Sequence, residues 1–139
     1  MAKSKPFTLR LSERTESWIE EEARRTKRSK GALLESLAEE AIRMRRFPGV
    51  VFRGPEHDRR AWVVGTALDV WEIVEAYKEI GLERLLEEGE IPERQVRLAL
   101  RYYEEHPEEI DQAIAENRRP LEYWRERYPG LLIRASTPR

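Results

Sequence analysis

Cysteine is absent from the 139 residues, which excludes a disulfide framework, thiolate nucleophiles and thiolate metal ligands, and suits a reducing, cytoplasmic setting. The two histidines, His57 and His106, stand too far apart and too alone to suggest a zinc site. No apolar run is longer than Ala61-Trp62-Val63-Val64, so neither a membrane span nor a secretory leader is expected. Also missing are a Gly-rich phosphate loop, metal-ligand spacing and a nucleophile–base pair. The carboxylates fall instead in helix-surface strings such as Glu20-Glu21-Glu22. The expectation is a protein that is not an enzyme, has no cofactor or metal, and does not associate with membranes.

What is there is charge. Asp, Glu, Lys and Arg make up 38% of the chain, and the net charge of −1 hides a division. Residues 1–46 hold 12 Lys/Arg against 8 Asp/Glu, a balance of +4, while residues 47–139 hold 14 against 19, a balance of −5. A basic head on an acidic body fits a DNA-facing part joined to a part that contacts something else.

The head has a definite pattern. Phe7, Leu9 and Leu11 alternate with Thr8 and Arg10, which puts the apolar and polar side chains on opposite faces of an extended segment. A lone strand cannot satisfy its own backbone groups, and the next extended run lies beyond two helices. The simplest partner is the same strand of a second copy, giving an antiparallel two-stranded ribbon with a dyad. Such a ribbon fits the major groove of DNA and presents Thr8 and Arg10 twice. Ser12 then caps a helix over Glu13 to Thr26, with a stripe of Trp18, Ile19 and Ala23. Ser29 caps a second helix, to about Arg46, expected to bury Leu33, Leu34, Leu37, Ala38, Ala41 and Ile42. Its first turn, with Lys30 and Gly31, is a natural phosphate seat. Exposed Thr and Arg on a strand can equally be solvated, and an unrelated helical domain with a frayed start would share the pattern.

Lys5 to Arg46 resembles a ribbon-helix-helix DNA-binding domain of the Arc, MetJ and CopG kind, over about a third of the chain. The resemblance implies an intertwined homodimer on operator DNA. It implies Thr8 and Arg10 as groove readers, with Pro6 or Lys5 at the third outward position. Ser29 would clamp phosphate, and Lys27, Arg28, Lys30 and Gly31 surround it. Two positions depart from the family pattern: Pro6 has no N–H, and Lys27 stands where the inter-helix turn often holds Gly.

Residues 47–117 read as a second unit. Val50-Val51-Phe52 and Ala61 to Val64 form a β-hairpin with an eight-residue connection, Arg53 to Arg60. Asp69 caps a helix, with Glu72 in capping-box spacing and Val70, Ile73, Val74, Tyr77 and Ile80 on its apolar side, widened by Trp71. Gly81 stops it, and a short helix runs from Leu82 to Glu88. Pro92 opens another helix, whose buried face is expected to be Val96, Ala99, Leu100 and Tyr103. Its outer face, Glu93, Arg94, Gln95, Arg97 and Arg101, is either a second DNA contact or a solvated face laced with ion pairs. Pro107 opens a further helix with Ile110, Ala113 and Ile114 on one side.

Pro48 to Asn117 looks like the small domain of unknown function found in VapB-type antitoxins. The carrying strings are Gly65-Thr66, Asp69-Val70-Trp71, Ala99-Leu100-Arg101-Tyr102-Tyr103 and His106-Pro107-Glu108-Glu109-Ile110-Asp111. That resemblance implies a hairpin followed by three helices arranged like a helix-turn-helix, and a PIN-like nuclease toxin as partner. Residues 118–139 read as an amphipathic tail. Leu121, Trp124, Arg125, Tyr128, Leu131 and Ile133 there either pack within the dimer or dock into the toxin. The fold class expected is mainly α with short β, in three parts: 1–46, 47–117 and 118–139. The function expected is a dimeric antitoxin that represses its own operon, with a stand-alone repressor as the alternative.

Overall fold

A computed structural model describes residues 5–118. The described residues form a mainly helical protein with one two-stranded antiparallel sheet. In order, the elements are α1 (Glu13–Thr26), α2 (Lys30–Arg46), β1 (Val50–Arg53), β2 (Arg60–Val63), α3 (Val70–Ile80), α4 (Leu82–Glu88), α5 (Glu93–Glu105) and α6 (Pro107–Asn117).

Local chemistry sets most boundaries. The Ser12 hydroxyl accepts from the Thr15 amide at 3.3 Å, and Ser29 accepts from Ala32 at 3.1 Å, so each helix of the head has one orphan donor satisfied. Between them, Lys27 takes the left-handed conformation with φ 56°. There Arg28 donates to the Ala23 carbonyl at 3.0 Å and Lys27 to that of Arg24 at 3.3 Å, the paired bonds of a Schellman stop. Glu72 accepts from the Asp69 amide at 3.1 Å, the reciprocal half of the capping box at the start of α3. Pro107 sits in the first turn of α6, where its missing N–H costs nothing.

In the hairpin Val50 faces Val63 and Arg53 faces Arg60. The connection is therefore residues 54–59, shorter than the expected eight, because both arginines join the ladder. They turn to one carboxylate: Arg53 donates to Asp69 Oδ1 at 2.8 Å and Arg60 to Oδ2 at 3.0 Å. Asp69 is only 4% exposed, so its charge is compensated where water cannot reach it. Gly54 is obligatory in the connection, since a Cβ there would lie 2.3 Å from the Asp58 carbonyl oxygen.

The core joins the hairpin (Val50, Ala61, Val63) to α3 (Val70, Ile73, Val74), α5 and α6 (Ile110, Ile114). On α5 the buried residues are Val96, Leu98, Ala99 and Tyr102. Leu100 and Tyr103, expected inside, are only half-buried, because α3 and α6 meet α5 on an arc centred one residue away. On α2 only Leu33 is buried; Leu37, Ala38, Ala41 and Ile42 are exposed and Leu34 half-buried, contrary to the expected core face. Nothing among the described residues covers that stripe.

Helix α2 is fastened to the second unit through Arg43. Its guanidinium donates to the Tyr102 hydroxyl at 2.9 Å, to Glu109 at 2.6 Å and to Glu39 at 2.7 Å. The Tyr102 hydroxyl donates in turn to Glu109 at 2.7 Å. Burial, and then the Glu109 carboxylate, push the Tyr102 hydroxyl well above its ordinary pKa, so it stays a donor. Burial works against the Arg43 charge, but Glu109 and its neighbours outweigh it and raise that pKa. His106 stacks on Tyr102 with ring centres 4.7 Å apart, and burial holds its imidazole below the usual value. Replacing Arg43 by Ala leaves Tyr102 and Glu109 short of a charged donor. The variant should lose about 2 kcal/mol in a urea titration, the cost of an unmade charged hydrogen bond at a half-buried site. A loss below about 0.5 kcal/mol would show a hub already solvated.

Candidate nucleic-acid interface

Residues 5–11 form no hydrogen-bonded element with the other described residues, none of which supplies a second strand. Lys5, Thr8 and Arg10 are all exposed, and so are Phe7 (81%) and Leu9 (57%). Lys5, Arg10 and Lys27 make no ion pair among the described residues, where most arginines do.

The start of α2 gathers Arg28, Ser29, Lys30 and Gly31. Ser29 is spent on the Ala32 amide, and the amides of Lys30 and Gly31 have no acceptor among the described residues. Gly31 is exposed, and a Cβ there would meet nothing within 4 Å, so close approach of a neighbouring group does not require glycine. Two cations expected to hold phosphate are engaged within the chain. Lys30 lies 3.2 Å from Glu16 and 3.6 Å from Glu20 on α1, and the Glu16 hydrogen bond raises its pKa. Arg28 donates to Glu56 in the hairpin connection at 3.1 Å and to the Ala32 carbonyl at 3.3 Å. The Glu16 and Glu20 spacing on α1 was a visible signal for the first pairing. Nothing local in the sequence signalled the second.

On α5, Arg97 bonds Glu93 at 2.8 Å, as a solvated ion-paired face would, while Arg94 and Arg101 have no carboxylate partner among the described residues. Leu121, Trp124, Arg125, Tyr128, Leu131 and Ile133 lie outside the described residues. Among the described residues no helix is long and apolar enough to cross a membrane, and no group of His, Cys, Asp and Glu is placed to hold a metal ion. Protein-family models, curated proteins and solved structures give no match to the chain.

Lys27 carries strain that a glycine would not, because a Cβ in the left-handed region crowds the following carbonyl. The Lys27→Gly variant should gain about 0.5–1 kcal/mol of stability, the relief being partly offset by a freer unfolded chain. A melting temperature that falls would mean that the Lys27 side chain, not its backbone, holds the turn.

Proposed function

We propose that the chain is a homodimeric DNA-binding protein that reads operator DNA with residues 5–46. We further propose that it is the antitoxin of a toxin–antitoxin pair, repressing its own operon and neutralising a PIN-like nuclease. One observation carries the DNA-binding part: a single stretch combines exposed apolar side chains with cations that lack internal partners. Phe7, Leu9, Leu37 and Ile42 (55% exposed) need cover, and at about 25 cal/mol per Å² their burial would drive association. A second copy supplies it, and a ribbon of two such segments satisfies both backbones and turns Thr8 and Arg10 outward. The free amides at the start of α2 then suit phosphate. The ion pairs of Lys30 are about half exposed, so a phosphate can replace Glu16 at little cost.

The antitoxin part is supported by the resemblance of Pro48 to Asn117 to VapB-type antitoxins. The partner-docking residues, Leu121 to Ile133, belong to the same proposal.

Titrating the full chain against its own promoter duplex and a scrambled duplex tests the reading. Arg10→Ala should reduce operator preference by about 1–3 kcal/mol, the worth of a bidentate Arg–guanine contact. Preference left intact would remove the segment from base reading. Leu9→Asp should abolish the dimer in sedimentation; a wild-type chain that is a folded monomer at micromolar concentration would sink the fold reading.

A further inference from the structure

A groove of about 570 Å³ runs between α5 and the two turns that flank the hairpin. Its walls are Pro48, Gly49, Val64 and Gly65 on one side and Arg94, Gln95, Leu98 and Arg101 on the other. The turns lie close against the helix. A Cβ on Gly49 would meet Leu98 Cδ2 at 2.8 Å, and one on Gly65 would meet Gln95 Nε2 at 3.3 Å. Both glycines have positive φ, 107° and 88°, so any other residue would be strained there as well as crowded.

The charge of this groove sets it apart. No carboxylate lines it, and its two arginines make no ion pair among the described residues. The larger cleft, of about 660 Å³, differs in this respect, for its arginines are already committed to Asp69 and Glu40. Arg94, Leu98 and Arg101 follow at i, i+4 and i+7, one face of α5, with the arginines about 10 Å apart along the axis. Val64, 46% exposed, adds apolar surface between them.

We propose that this groove docks an acidic peptide segment of a protein partner, with an apolar side chain on Val64 beside the largely buried Leu98 and flanking carboxylates on Arg94 and Arg101. On an extended peptide alternate side chains share a face, so a Glu-Gly-Leu-Gly-Glu segment presents its leucine and both carboxylates together, the carboxylates about 13 Å apart along the strand and within reach of two flexible arginines. Duplex DNA fits less well. A phosphodiester gains nothing from the apolar floor. The inference does not rest on the reading of residues 5–46.

Fluorescence anisotropy with the full chain tests it, using a labelled Gly/Ser peptide that carries Glu-Gly-Leu-Gly-Glu and its Gln-Gly-Leu-Gly-Gln counterpart. The acidic peptide should bind saturably below millimolar, and the glutamine peptide about tenfold more weakly or worse. Arg94→Ala combined with Arg101→Ala should cost a similar factor with unchanged melting, because neither side chain has a partner to lose among the described residues. Val64→Glu, which puts a competing carboxylate into the groove, should do the same. The proposal fails if the acidic peptide does not bind, if both peptides bind alike, or if the double variant binds as the wild type does. It fails too if that variant keeps peptide affinity but loses affinity for a scrambled duplex, since the groove would then serve nucleic acid.

Discussion

The three-way contact of Arg43 with Tyr102 and Glu109 decides how the two ends of the described chain relate. Without it α2 would be joined to the second unit only by the packing of Phe47 and by more exposed ion pairs. With it, a helix of the head is tied to α5 and α6 by charge-assisted bonds at 2.6–2.9 Å, beneath which Phe47 packs its ring edge-on against Tyr102. Two further arginines repeat the arrangement along the hairpin: Arg59 reaches Glu40 on α2 at 2.7 Å, and Arg28 reaches Glu56. Arg43 and Arg28 thus pair the basic head with carboxylates of the acidic body, while Arg59 runs the other way, from the body to a head carboxylate.

Asp69 plays the corresponding part inside the body. It ends the turn after β2, starts α3 and receives both strand-end arginines. Around it the Thr66 hydroxyl accepts from the Leu68 amide at 3.0 Å and donates to the Val63 carbonyl at 2.8 Å, and the Trp62 indole donates to the Thr66 carbonyl at 2.8 Å. Among the described residues no buried side-chain nitrogen or oxygen is left unsatisfied. Such a closed network fixes the angle between hairpin and helix, and with it the two turns that wall the groove beside α5.

Two kinds of surface remain open on this frame, and they differ in chemistry. The head exposes apolar stripes beside cations, which is what a protein that must both self-associate and meet phosphate requires. The groove beside α5 exposes an apolar floor between arginines, which suits a carboxylate-bearing chain. Elsewhere most arginines among the described residues are paired with carboxylates, several of them on the surface.

Local signals were legible in the sequence. Ser12, Ser29, Asp69, Pro107, Gly81 and Gly89 mark helix starts and stops by capping chemistry that acts within a few residues, and the observed helices α1 to α6 follow those marks. The stripe on α3 was equally plain, because Val70, Ile73 and Val74 repeat at the helical period. On α5 the period alone could not choose between Tyr102 and Tyr103. Both lie near the apolar face, and the direction from which α3 and α6 approach decided the matter. Among the candidate site residues, Lys5, Thr8 and Arg10 are exposed together with Phe7 and Leu9, so the alternation is not expressed in the single chain, whereas the engagement of Arg28 depends on a hairpin residue 28 positions away. The Arg94–Leu98–Arg101 groove belongs to the same class. Its helical face was readable, but its opposite wall comes from Gly49 and Gly65, which only the pairing of β1 with β2 brings beside α5. Capping and periodicity act over one or two turns of chain and are written in the sequence. Ion-pair choice and groove shape depend on which distant elements pack together, and that is settled only when the core closes.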